Sequence, residues 1–573
     1  MSDALAGVAL SRPGPALDAG PLDTRLYDLV ETRLRRILRE SPPVATFLGI
    51  HEVDDRLGDA SRDALLGALA ADREHLAAVE SLDPALLSGE ARFERDLEIH
   101  NIRRVVFETE EVRMWERRST AVDGLGDALF LLYARDFAPL TERLSSFAGR
   151  LEATPGNLAE HRSRARGPQV REWQTQEIES AASLPAFIDE VVGVAATASL
   201  PLAERRRLER AADGAKAALA DHAARVTESL ADGTDEWALG RERYEELIRR
   251  RAFDGLGGDD ILEMGADLLA HERSARVAVA AEIDPDADEA DVVDLVKSNH
   301  PATFDEALTA YSDAMHRSRD FIIEHGIVSV PDDEHLDVVP TPVYLRNLVP
   351  FAAYFDPPKF EARRKGLYIV TPSVNGEERA MREHNYASIG NTSIHEAYPG
   401  HHLQLHVAGK HPSLTRLQVD APEFTEGWGM YSELLMREQG FDDGPEARLM
   451  LHTDAIWRAC RIVLDVRMHR GEMTIDESID FLVRNTSFER ANARAEVRRY
   501  TFTPTYQLSY LLGRQLILEL RADERRRLGA DFDLRRFHDA LLEAGSIPIS
   551  FQRRALRGSA TLGGASDTAA AAR

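Results

Sequence analysis

Asn391-Thr-Ser-Ile-His395-Glu396-Ala-Tyr-Pro399-Gly400-His401-His402-Leu-Gln404 decides how the chain is read, because here metal-binding side chains crowd against a general-base candidate. A His followed by Glu on a helix, with a second His one turn on, holds zinc between two neutral imidazoles while the Glu takes a proton from bound water. The His-Glu-x-x-His spacing would put the second His at 399. That position is Pro399, which binds no metal and removes a helical N–H. In a straight helix His401 would lie about 9 Å along the axis from His395, at about 1.5 Å per residue. Two nitrogens each about 2.1 Å from one zinc are only about 3 to 3.5 Å apart, so a regular helix fails. If Pro399-Gly400 bulges out as a two-residue insertion, His401 falls into the second-ligand position. His402, almost two turns from His395, is the alternative and needs the same bulge.

Downstream, Glu423-Phe-Thr-Glu426-Gly-Trp428-Gly-Met-Tyr431-Ser-Glu433 offers a third ligand. The segment resembles the Asn-Glu-Gly-Phe-Ala helix of the gluzincin aminopeptidases, and that resemblance implies Glu426 as the remaining zinc ligand. Glu433, seven residues later on the same helical face, either orients a ligand His from behind or is a surface carboxylate. Leu508-Ser509-Tyr510-Leu-Leu-Gly513 resembles the Ser-Tyr-x-Lys-Gly segment of the same enzymes, with Leu512 in place of the Lys. It implies Tyr510 as the hydroxyl that stabilises the tetrahedral intermediate, with Tyr500 and Tyr506 as competitors for that role.

Taken together, His-Glu-Ala-x-Pro-Gly-His-His-Leu-Gln, Glu-Gly-Trp-x-x-Tyr and the late Arg499-Tyr500, Pro504 and Ser509-Tyr510 resemble the domain-of-unknown-function 885 family, bacterial proteins grouped with zincin-like metallopeptidases. The resemblance runs from residues 42–51 to 537–539. It implies fold and metal chemistry and names no substrate. Arg499, Tyr500, His469 and Asp465 lie in segments similar to family signatures and are candidates for the cleft wall. Arg499 could pair with a substrate carboxylate through a bidentate fork, or simply bridge helices.

With 573 residues the chain is long enough for several cores. A formal charge of −27 argues against a nucleic-acid partner, which needs clustered Lys and Arg, and leaves basic or neutral peptides as plausible ligands; the expected substrate is a peptide or small amide. Cys460 is the single cysteine, so no intrachain disulfide forms. The N-terminus carries no basic, apolar leader and no stretch approaches about 18 uninterrupted apolar residues, so a cytoplasmic protein without a membrane partner is expected.

Residues 1–20, rich in Gly, Ala and Pro, read as a flexible lead-in. Leu26, Leu29, Val30, Leu34 and Leu38 then recur at helical spacing and stop before Pro42-Pro43. Amphipathic segments at 61–81, 91–116, 138–152, 172–199, 202–230, 240–251 and 258–282 make 21–300 a helical scaffold, either walling a cleft or standing as a separate bundle. Asp284-Pro-Asp286-Ala-Asp288 lacks the Gly and terminal Glu of a calcium loop and reads as a solvated turn. Thr303-Phe-Asp-Glu306 caps a helix that stops at Gly326. Short β-branched and aromatic runs at 327–331, 336–340, 351–355 and 366–371 then read as a small sheet. In the zincin layout an edge strand holds an extended peptide beside the metal, and 366–371 is the expected edge. Helices resume through 415–440, 445–470, 474–484, 488–499, 504–528 and 533–544. Residues 301–557 are thus the expected catalytic region and 558–573 a disordered tail.

The expected fold class is mainly α with a small β-sheet (α+β), zincin-like with an extensive helical scaffold. The expected activity is a zinc-dependent peptidase, with Glu396 as base and Zn2+ held by His395, Glu426 and either His401 or His402. Two rivals stand beside it: a zinc hydrolase of a non-peptide amide or amino-acid conjugate, and a metal-free binding protein whose site Pro399-Gly400 has destroyed.

Overall fold

The computed structural model describes residues 5, 7–10, 21–198, 200–341, 346, 349, 351–361, 364–372, 381–486 and 488–558. Most of the expected lead-in and all but Gly558 of the expected tail lie outside the described residues. The fold is mainly α-helical with one small three-stranded sheet. The chain forms two compact units: Met1–Trp237 with Pro358–Arg363 and Pro412–Gln418, and Ala238–Pro357 with Arg364–His411 and Val419–Arg573.

The named elements of the first unit are all helices, with one isolated β-bridge between Val170 and Thr234. Helix Pro21–Glu40 turns Leu26, Val30, Leu34 and Leu38 inward, the stripe its spacing predicts. These meet Leu48, Ile50, Val79 and Leu87 in one apolar core, each such side chain contributing about 1.5 to 3 kcal/mol by leaving water. Helix Ala121–Ala134 is not among the expected segments. Gly124 and Gly126 lower its propensity, and it is apolar on nearly every side, so no stripe shows in the sequence. Helix Leu140–Arg162 also outruns its expected end at 152, continuing through Pro155.

The second unit begins well before residue 300, because helix Gly258–Ile283 lies along helix Pro445–His469. Gly265 permits that approach: a Cβ there would come 2.6 Å from Ile462 Cγ2. Glu272, buried on the first helix, accepts from His452 Nδ1 at 2.7 Å and from Arg514. Burial raises its carboxyl pKa, but the bonds from His452 and Arg514 outweigh that and hold it at about 2. The folded value lies below the ordinary 4.5, so this stabilisation is complete above pH 4.5 and is lost as pH falls through about 2. Glu272→Ala leaves both partners uncompensated and is expected to cost about 3 to 5 kcal/mol in denaturant unfolding. Glu272→Gln should flatten the acid limb of stability against pH. An unchanged midpoint in both variants would remove this network from the account.

Strands β1 (Leu336–Pro340), β2 (Ala352–Phe355) and β3 (Gly366–Val370) form a sheet in the order β1-β3-β2. β1 runs parallel to β3 with Leu336 opposite Gly366, and β2 antiparallel with Phe355 opposite Leu367. The expected peptide-binding edge at 366–371 is therefore corrected: β3 is the central strand and both of its sides are paired. Its near-continuous apolar run is what a covered strand looks like. Residues 327–331 are not a strand either. Ile327 N closes the preceding helix on Ile322 O at 3.0 Å, and Ser329 N donates to Asp539 Oδ1 at 2.7 Å. Their apolar character comes from docking, with Ile327 and Val328 buried.

Candidate metal centre

Asn385 opens helix Tyr386–Glu396 by accepting from Ser388 N at 2.9 Å. The helix stops at Glu396 and a second one, His401–Ala408, begins after four intervening residues. The expected bulge within one helix is in fact a turn between two. The Tyr398–Pro399 peptide is cis, Gly400 N donates to Ile394 O at 3.1 Å, and Trp428 Nε1 donates to Pro399 O at 2.7 Å. A side chain at Gly400 is impossible, since a Cβ would fall 1.8 Å from His395 O. The turn cancels the axial distance that a continuous helix would put between His395 and His401.

The result is a cluster of His395, His401 and Glu426, whose ligand atoms all lie within 4.8 Å of one another. Glu426 Oε2 is 3.4 Å from His401 Nε2 and 3.7 Å from His395 Nε2. Ligands about 2.1 Å from a tetrahedral ion stand about 3.4 Å apart, so the residues fit a metal in spacing as well as in type. Glu426 comes from helix Pro422–Glu438, and the glycines around it set the approach. A Cβ on Gly429 would be 2.6 Å from the His395 ring, and one on Gly427 would be 2.5 Å from Gly513.

Carboxylates and a phenol back the ligands. His395 Nδ1 meets Glu433 Oε1 at 2.6 Å, which fixes the tautomer and leaves Nε2 facing the cluster. Tyr506 donates to Glu426 Oε1 at 2.9 Å. His401 Nδ1 is buried with no partner among the described residues. Burial opposes a charge on His395, yet Glu426 and Glu433 outweigh it and lift its pKa to about 10. Glu426 shows the converse: burial pushes it up, but His395 and His401 hold it well below the ordinary range.

Glu396 follows His395 at the helix end, largely buried, and accepts no hydrogen bond from the described residues. Burial lifts its pKa, the two imidazoles pull it down, and the other two carboxylates help leave it raised. That is the setting of a proton acceptor rather than of a structural ion pair.

The other predicted residues are placed apart from this cluster. His402 points away: its Nε2 meets Glu334 Oε2 at 2.9 Å and its Nδ1 meets Tyr354 Oη at 3.0 Å. Tyr510 stands edge-on to Tyr506, ring centres 5.9 Å apart, one step behind the phenol that touches Glu426. Tyr500 is fully buried, its hydroxyl 2.8 Å from Glu496 and 3.1 Å from Arg461 Nε. Arg499 donates to Glu496 at 2.9 Å. His469 bonds Tyr500 O at 2.9 Å, and Asp465 accepts from Tyr244 and from Thr505 N, so both brace the loop before Tyr506. Sequence reasoning missed Glu334, Tyr354 and Arg461. Gly366 was a usable signal for the first two, since a Cβ there would sit 2.7 Å from Tyr354 Oη and 2.8 Å from His402 Nδ1.

Fold and site together define a mainly helical protein with a buried two-histidine, one-carboxylate centre. The chain belongs to a family of bacterial proteins of unknown function, DUF885, whose sequence profile matches residues 42–556. No curated protein matches the sequence. Two solved structures share the fold. One is a candidate lipoprotein of unknown function from Shewanella oneidensis, 22% identical, TM-score 0.76, covering 93% of this chain and 99% of its own. The other is a candidate lipoprotein from Colwellia psychrerythraea, 17% identical, TM-score 0.80, covering 94% and 99%. Among the described residues no helix is long and apolar enough to cross a membrane.

Proposed function

We propose that the chain is a zincin-like zinc hydrolase that cleaves peptide bonds, with His395, His401 and Glu426 as ligands. One juxtaposition supports this reading above all. Two imidazoles and a carboxylate converge at ligand spacing, and the residue after the first ligand, Glu396, carries a carboxylate that accepts no hydrogen bond from the described residues. Zinc held there supplies a Lewis acid and lowers the pKa of a water toward about 7. Glu396 takes the proton from the attacking water and delivers it to the leaving amine. Glu433 keeps the His395 tautomer, and Tyr506, its proton committed to Glu426, holds that ligand in place. Tyr510, next in line, donates to the oxygen on which negative charge develops.

The test is metal analysis of the purified chain, followed by digestion of a peptide library before and after chelation. About one zinc per chain, with cleavage lost on chelation and restored by zinc, is expected. No zinc and no hydrolysis would favour the metal-free binding protein; cleavage of acylated amino acids in place of peptides would favour the amide hydrolase. The two tyrosines divide by readout. Tyr510→Phe should lose at least about tenfold in turnover with zinc content unchanged, whereas Tyr506→Phe should weaken zinc binding about 10- to 100-fold. Equal zinc affinity in wild type and Tyr506→Phe would remove Tyr506 from the ligand support.

The compartment belongs to the same proposal. The cytoplasmic placement expected from the N-terminal sequence and the lack of a long apolar stretch competes with an envelope placement, which the descriptions of the two structural neighbours support. Fractionation of the native host, with the chain followed by immunoblot, decides between them.

A further inference from the structure

Behind Tyr510 the second unit gathers more positive charge than it neutralises. Arg461, on helix Pro445–His469, has a side chain only 3% exposed. Its guanidinium lies 3.9 Å from the centre of the Trp457 ring and 4.6 Å from that of Tyr510. Its Nε donates to Tyr500 Oη at 3.1 Å and its Nη2 to Glu496 Oε2 at 3.0 Å, which leaves Nη1 outside these bonds. Arg499 donates Nη2 to the same Glu496 oxygen at 2.9 Å while its side chain stays 37% exposed. Tyr500 uses that oxygen too, at 2.8 Å. One carboxylate therefore faces two guanidiniums, and a single oxygen of it takes three donors.

Burying a cation without a matching anion is costly, and an otherwise acidic chain has no shortage of carboxylates to place there. Packing against the Trp457 and Tyr510 rings restrains the Arg461 guanidinium, whose planar fork matches a carboxylate. The phenol stacked on it, Tyr510, touches Tyr506, and Tyr506 touches Glu426 of the metal centre. A chain of contacts thus runs from Glu426 through Tyr506 and Tyr510 to the Arg461 guanidinium.

We propose that Arg499, with Arg461 behind it, receives the free terminal carboxylate of the substrate, so that the enzyme removes residues from, or cleaves next to, a peptide C-terminus. This rests on the hydrolase reading above and narrows its substrate to short peptides with a free acid end. Water adds its oxygen to the carbonyl carbon, the C–N bond breaks, and the amine leaves with a proton, while the terminal carboxylate stays paired and unchanged.

A degenerate tripeptide library, prepared once as free acids and once as C-terminal amides, tests it on the zinc-loaded full chain. Mass spectrometry should record depletion of the acids at least about tenfold faster than the amides, and Arg499→Gln should bring that ratio near one. Equal depletion of acids and amides by the wild type overturns the proposal and leaves the hydrolase reading standing. If neither library is cleaved, the hydrolase reading fails, and retention of the libraries by the zinc-loaded chain in ultrafiltration then decides. Acids retained over amides, and not by Arg499→Gln, support the carboxylate pocket; no preference overturns it. Arg461→Lys, which keeps the charge and loses the fork, should lower the acid-to-amide ratio if it folds, and the half-exposed Arg499 carries the test if it does not.

Discussion

Glu396→Gln is expected to keep a full equivalent of zinc and lose about 10²- to 10⁴-fold in turnover, the range a positioned general base supplies. Three features make the effect large. The carboxylate has no protein donor among the described residues, so the change breaks no hydrogen bond. Its raised pKa brings it closer to that of a proton carrier working near neutrality. The amide keeps the shape and cannot accept the proton, so the fold and the three ligands are untouched. Turnover and zinc content measured on the same preparation check it. Full activity would remove Glu396 from the mechanism, and loss of zinc together with activity would move it into the ligand set.

The parts of this molecule that were legible in sequence are those fixed by local chemistry. Leu26, Val30, Leu34 and Leu38 announced a helix because burial on one side demands that spacing. Pro399-Gly400 announced a distortion, because one residue cannot donate and the other has no side chain to collide with His395 O. What could not be read was anything set by a partner distant in sequence. Whether His401 or His402 faces Glu426 depends on how a four-residue turn is held, and Trp428 holds it from 29 residues away. The central position of β3 depends on β1 and β2 closing on it from both sides. The helix at 121–134 gains its stability from burial of Leu125, Leu129 and Leu132, not from its own glycine-containing sequence. Arg461 looked like one of many helical arginines until Glu496, Tyr500 and Tyr510 were brought around it.

His401→Ala and His402→Ala, neighbours in sequence, are expected to fail in opposite ways. His401 offers Nε2 to the cluster at 3.4 Å from Glu426 Oε2, so its removal leaves one imidazole and one carboxylate. Zinc affinity should fall by at least about 100-fold, beyond what loss of a supporting group costs, with thermal stability of the metal-free chain little changed. His402 bridges Tyr354 and Glu334, and Glu334 also accepts from Tyr398 and from Arg319 at 2.8 Å. Burial lowers the His402 pKa against the pull of Glu334, so a neutral ring joins strand β2 to the turn that carries Pro399. Its removal leaves the Tyr354 hydroxyl and one bond of a buried carboxylate unsatisfied, a loss of about 1 to 3 kcal/mol in unfolding with zinc still bound. Equilibrium dialysis against a zinc buffer and denaturant melts of the chelated proteins separate the two quantities. If both variants lose zinc alike, the turn at 397–400 transmits more to the ligands than its hydrogen bonds imply; if both keep it, the centre does not use His401.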